Sequence, residues 1–231
     1  MDPVETCSQL DCENVACTVD AFVFDLDGTL LDTLPDLVLL TNAVLCECGF
    51  SERSSEEILS FVGNGVRALM YQAVPDDADK DDVEAAMQRW KELYPQYGHK
   101  LTKPYRQMPE VLVKLKSQGL KLGVLSNKFD AGTKEVIGSY LPNLFEVVHG
   151  ECIEIPRKPN PAGLLRTIDE LGTVPSRTVY IGDSPGDVAV SRNAGAFAVG
   201  VAWGYHSVER LHAADPDRLI FDPEELLDLV R

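Results

Sequence analysis

Phe22-Val23-Phe24-Asp25-Leu26-Asp27-Gly28-Thr29-Leu30-Leu31 is an apolar, strand-like run that ends abruptly in two aspartates separated by one residue. In an extended segment residues i and i+2 share a face, so Asp25 and Asp27 point into one cavity while Leu26 faces away. At a rise of roughly 3.3 Å per residue their Cα atoms lie about 6.6 Å apart, close enough to serve one metal and one substrate. Two carboxylates this close repel and do not both stay charged unaided. The plain alternative is a hairpin turn with Asp-Gly at its tip, but no matching strand follows Gly28.

Outward from this run the chain divides in two. Residues 1–19 are polar, acidic and unpatterned, an N-terminal arm whose role the sequence does not give. Helical periodicity then fills 35–48, 56–62, 66–74 and 81–97, with acid-rich or Gly/Pro-containing joints. From Pro104 helix and strand alternate: helix 109–118, strand 121–125, helix 131–140, strand 145–149, helix 161–171, strand 178–181, helix 186–193, strand 196–201, a short strand 218–221 and a C-terminal helix. Alternation of this kind predicts an α/β fold, a Rossmann-like parallel sheet with helices on both faces. The strand before Asp25 belongs to that sheet, so 20–35 and 104–231 form the α/β core and 36–103 an inserted all-helical domain. Open parallel sheets hold their sites outside the carboxyl ends of the strands, where Asp25 and Asp27 would sit.

The chain of 231 residues is long enough for one large domain, or a domain with an insertion, and its 45% apolar and 25% charged residues are ordinary for a folded protein. A formal charge of −16 predicts no nucleic-acid or anionic-lipid partner, because most of the surface repels both. An anionic substrate must therefore be drawn by local features. No apolar run approaches the ~18 residues of a membrane span, and the acidic N-terminal stretch has no basic segment followed by an apolar one. A cytoplasmic protein with no membrane association is expected. The six cysteines show no framework spacing and read as free thiols. The four histidines lack metal-ligand spacing and read as structural or exposed.

Two further strand ends carry polar groups. Ser126-Asn127-Lys128 follows Lys121-Leu122-Gly123-Val124-Leu125, and Gly182-Asp183-Ser184-Pro185-Gly186-Asp187 follows Thr178-Val179-Tyr180-Ile181. Lys158 lies in Pro156-Arg157-Lys158-Pro159-Asn160-Pro161, where prolines restrict the backbone just before a helix. Asp183 and Asp187 also suit a helix N-terminus for reasons of the dipole alone.

In this order Asp25-Leu26-Asp27-Gly28-Thr29, Ser126-Asn127, Lys158, and Gly182-Asp183-Ser184 with Asp187 resemble the four motifs of the haloacid-dehalogenase-like hydrolase superfamily. The likeness spans 20–231 and is nearest to phosphoglycolate-phosphatase-like members with a helical cap. It implies a Mg²⁺-dependent phosphatase acting on a small phosphorylated metabolite, with phosphoglycolate as first guess. In that resemblance Asp25 is the nucleophile and Asp27 the proton shuttle. Asp25, the Asp27 backbone carbonyl and Asp183 hold Mg²⁺, supported by Asp187; Ser126, the Asn127 N–H and Lys158 bind phosphoryl oxygens; and Thr29 counts among the substrate-binding residues while orienting the loop carrying Asp27. Arg67, after Gly63-Asn64-Gly65, is the candidate for a distal anionic group, although Gly-x-Gly between helices reads equally as a simple joint.

Pyrophosphate or nucleotide hydrolysis and sugar-phosphate mutase chemistry use the same motifs and stay open. The second acid argues against dehalogenation. A non-enzymatic phospho-aspartate switch also clusters acids and a lysine at strand ends, but in a shorter chain without a helical insertion. Oligomeric state has no signature in the sequence.

Overall fold

The computed structural model describes residues 19–230. The arm expected over 1–19 lies outside them apart from Val19, as do Cys7, Cys12 and Cys17; Cys46, Cys48 and Cys152 are free thiols. Strands β1 (Ala21–Phe24), β4 (Lys121–Phe129), β5 (Val147–Glu151), β6 (Thr178–Gly182), β7 (Phe197–Val201) and β8 (Arg218–Ile220) form one sheet in the order β5-β4-β1-β6-β7-β8. Every pairing in it is parallel. β1 is flanked by β4 on one side and β6 on the other, so the connections leave in opposite directions at the carboxyl ends of these three strands.

The pleat explains why β1 is apolar throughout. Phe22 and Phe24 join Val124 and Ile181 beneath α5 (Met108–Ser117), α6 (Asp130–Tyr140) and the C-terminal turn, while Ala21 and Val23 join Leu125 and Tyr180 beneath α7 (Ala162–Glu170) and α8 (Pro185–Ala194). A strand covered on both faces has no position for a polar residue until it ends. The first carboxylate therefore appears at the first residue past the strand.

Between β1 and β4, helices α1 (Leu34–Glu47), α2 (Ser55–Phe61), α3 (Gly65–Ala73) and α4 (Lys80–Tyr97) close around Leu40, Val44, Met70, Ala86 and Trp90, a core of their own. Capping boxes start two of them: Ser54 with Glu57 at α2, and Asp79 with Asp82 at α4. The chain enters and leaves this unit through β2 (Leu31–Asp32) and β3 (Lys103–Pro104), which pair antiparallel. The Asp36 carboxylate clamps the same junction, accepting the N–H groups of Lys100, Leu101 and Thr102 and the Thr102 hydroxyl at 2.6–2.9 Å.

The observed elements depart from sequence expectation at the short pieces and at β4, which continues through Ser126-Asn127-Lys128 to Phe129 where the sequence suggested an end at Leu125. The C-terminal helix, Pro223–Val230, is of the 3-10 type. Its buried residues Pro223 and Leu226 are three apart, as one face of a three-residue turn requires. The β2–β3 pair and α9 (Val208–Ala214) carry too few residues to show a period. No helix among the described residues is long and apolar enough to cross a membrane.

Candidate active site

Asp25 continues the sheet by one hydrogen bond past β1, its N–H donating to the Ile181 carbonyl at 2.8 Å. That bond fixes its backbone at the junction of β1 and β6. Asp183 follows the end of β6 directly, and Asp187 lies in the first turn of α8, where Ser184 caps the helix. One carboxylate oxygen from each of Asp25, Asp183 and Asp187 falls within 4.8 Å of the others, and all three residues are buried. Lys158 faces them, its Nζ 2.7 Å from Asp25 Oδ1 and 2.6 Å from Asp187 Oδ1.

Three carboxylates thus meet one ammonium. Burial pushes Asp25 up to about 8; Lys158 works against that rise, whereas Asp187 and Asp183 add to it. For Lys158, burial alone would lower the pKa, but Asp187 and Asp25 outweigh it and hold the ammonium charged. The excess of buried negative charge is relieved either by protonation or by a divalent cation, for which hard carboxylate oxygens are suitable ligands. Asp187 already accepts from Lys158, from Tyr180 and from the Ser184 N–H and hydroxyl. Asp25 and Asp183 have more capacity left.

Asp27 keeps its carboxylate apart from this cluster. It accepts the Thr33 hydroxyl at 2.6 Å and lies 3.5 Å from Lys128 Nζ. Lys128 is buried and lies against the Tyr94 ring of α4, 5.6 Å from its centroid. Ser126 and Asn127 line the same cavity. The Asn127 amide donates to the Gly63 carbonyl at 2.9 Å, and its Oδ1 accepts the Lys158 N–H at 2.8 Å. One side chain therefore ties the helical unit to the lysine loop.

Two assignments made from sequence need correction. Thr29 is fully buried, and its hydroxyl donates to Asp183 Oδ1 at 3.5 Å, so it orients an acid from beneath and does not line the cavity. Arg67 is exposed, ion-paired with Glu84, and lines an outer groove of the helical unit instead of the cavity over Asp25. The opposite charge of Glu84, one helix away, gives it a nearer partner.

The cavity holds four polar residues that sequence reasoning passed over: Lys128, Tyr205, His206 and Arg210. Lys128 had a signal, since it is two residues past Ser126 in an extended strand. Tyr205 is a polar strut. Its N–H donates to Asp183 Oδ2 at 2.6 Å, and its hydroxyl accepts the N–H groups of Thr33 and Leu34 at 2.7 and 2.8 Å. His206 Nδ1 lies 3.6 Å from Asp183 Oδ2. The cavity has a volume of about 270 Å³, and its roof is Leu37, Phe61, Val62, Val66, Leu69 and Trp90 from the helical unit.

The haloacid dehalogenase-like hydrolase family matches residues 22–201. A phosphoglycolate phosphatase of Aquifex aeolicus (strain VF5) is 32% identical over 209 residues, covering 90% of this chain and 95% of its own. An N-acetylmuramic acid 6-phosphate phosphatase of Pseudomonas aeruginosa is 31% identical over 214 residues, covering 91% and 94% respectively. Among solved structures, a predicted phosphoglycolate phosphatase from Haemophilus somnus 129pt superimposes with a TM-score of 0.86 at 26% identity, over 92% of this chain and 98% of that one. With the sheet order, the acids at the ends of β1 and β6 and these relatives in agreement, the chain belongs to the haloacid dehalogenase-like hydrolase family.

Proposed function

We propose that the chain is a Mg²⁺-dependent phosphatase that hydrolyses a small phosphate monoester through an aspartyl-phosphate on Asp25. The observation that carries this reading is the buried grouping of Asp25, Asp183 and Asp187 against a single lysine in a cavity roofed by the helical unit. A carboxylate is a nucleophile at neutral pH once its charge is tolerated, with no base needed to activate it.

The Asp25 carboxylate attacks phosphorus, forming the P–O bond to Asp25 as the ester P–O bond breaks. Asp27, held by Thr33 and Lys128, gives its proton to the departing alkoxide. It then takes a proton from the water that attacks the acyl phosphate, so that inorganic phosphate leaves and both aspartates are restored. Lys158, Ser126 and the Asn127 N–H hold the phosphoryl oxygens while charge shifts among them. A Mg²⁺ bound by Asp25, Asp183 and the Asp27 carbonyl, with Asp187 behind, would supply the positive charge that lets an anionic ester approach an anionic nucleophile. The apolar roof lowers the polarity above the reacting groups, which strengthens these electrostatic contacts.

Phosphoglycolate is the first candidate substrate. Support comes from the relatives bearing that name and from a cavity near 270 Å³, below the usual range of roughly 300–1,000 Å³ for ligand pockets and better matched to a small ester than to a nucleotide. The test is hydrolysis of phosphoglycolate and of an aryl phosphate with Mg²⁺ and with chelator. Turnover should require the cation. Equal rates in chelator would remove the metal from the reading, and inactivity on every phosphate monoester would remove the function.

A further inference from the structure

Resting on the phosphatase reading, we propose that Arg210 selects substrates that carry a second anionic group, taking the role that the family resemblance assigned to Arg67. Of the lysines and arginines that line the cavity, two are already engaged. Lys158 is bound between Asp25 and Asp187, and Lys128 is held near Asp27 beneath the Tyr94 ring. Arg210 lines the same cavity, is solvent-exposed, and has no ion-pair or side-chain hydrogen-bond partner among the described residues. It is the remaining strong cation at the mouth, on a chain whose net charge is −16.

Its position is built rather than incidental. Gly204 and Tyr205 pack directly on Asp183, and the Tyr205 hydroxyl is anchored to the backbone entering the helical unit. Ser207 then caps α9 by accepting the Arg210 N–H at 3.4 Å, and the neighbouring Leu211 is fully buried. The backbone that carries the guanidinium is therefore fixed relative to the acid cluster. Trp90, which also lines the cavity, has a buried indole N–H without an acceptor. A substrate whose phosphoryl end meets Lys158 and Ser126, and whose far end carries a carboxylate, would satisfy groups that the protein leaves unpaired. Guanidinium pairs with carboxylate through two parallel N–H bonds.

The test is a ratio: kcat/KM for phosphoglycolate divided by kcat/KM for ethyl phosphate, which lacks the carboxylate. Arg210→Ala should lower that ratio about ten- to a hundredfold, the range of one hydrogen bond to a charged group, chiefly through KM for phosphoglycolate. Arg210→Lys should recover part of it, and Arg67→Ala should leave it where the parent has it. An unchanged ratio in Arg210→Ala, or a drop shared equally by Arg67→Ala, overturns the proposal. Failure of the parent enzyme on both esters would instead overturn the phosphatase reading.

Discussion

Asp183 occupies its position because two neighbours have no side chain. A Cβ on Gly204 would fall on the Asp183 side chain, and one on Gly28, whose φ is +84°, would lie 2.6 Å from Asp183 Oδ2. Close approach is the requirement at Gly204 and positive φ with close approach at Gly28. Gly204→Ala must therefore displace the acid. Activity should fall about a hundredfold, as expected for a displacement near 1 Å at a reacting centre, while unfolding stability should drop by only about 1–3 kcal/mol, the cost of overpacking. Kinetics and denaturant unfolding on the same preparation check both; near-parent activity would show that Asp183 need not be so closely held. At this scale the sequence revealed the acids and the lysine, because their motifs are local. It did not reveal Tyr205 or Arg210, whose roles depend on segments brought back over the site from the far end of the chain.

Helices and strands of the sheet were legible because each repeats long enough to show its period, and β1 was recognisable from an apolar run that stops at a charge. The junction with the helical unit was not legible, since β2 and β3 have two residues each and meet only through the fold. What makes the junction firm is Asp36, almost fully buried at 1% exposure and accepting from three successive backbone N–H groups and one hydroxyl. Asp36→Ala leaves those donors unpaired and should cost about 2–5 kcal/mol of stability, given ~1–3 kcal/mol for each unsatisfied buried donor with partial access to water. Urea unfolding measures it. A loss below about 0.5 kcal/mol would mean that the β2–β3 pairing alone secures the entry and exit of the helical unit.

The whole molecule joins a strongly acidic surface to a site for an anion, a conflict resolved by enclosure. Sheet and helical unit together surround a small cavity in which Lys158, Lys128 and Arg210 act at short range, beyond the reach of solvent screening for the buried pair. The helical unit contributes the apolar roof and contacts successive residues at the end of β4: Asn127 reaches Gly63, Lys128 lies against Tyr94, and Phe129 packs edge-on to Tyr94 and Trp90. Sequence spacing gave the topology of this arrangement but not the approach of the roof to Asp25, which is a property of packing between distant segments.

The proposed mechanism turns on a covalent bond between Asp25 and phosphorus. Rapid mixing with phosphoglycolate and Mg²⁺, acid quenching and peptide mass spectrometry would reveal it. The predicted result is a transient phosphoryl adduct on the peptide carrying Asp25, absent from Asp25→Asn, with turnover in that variant lowered at least about a thousandfold. An adduct on another residue, or full turnover by Asp25→Asn, would contradict it.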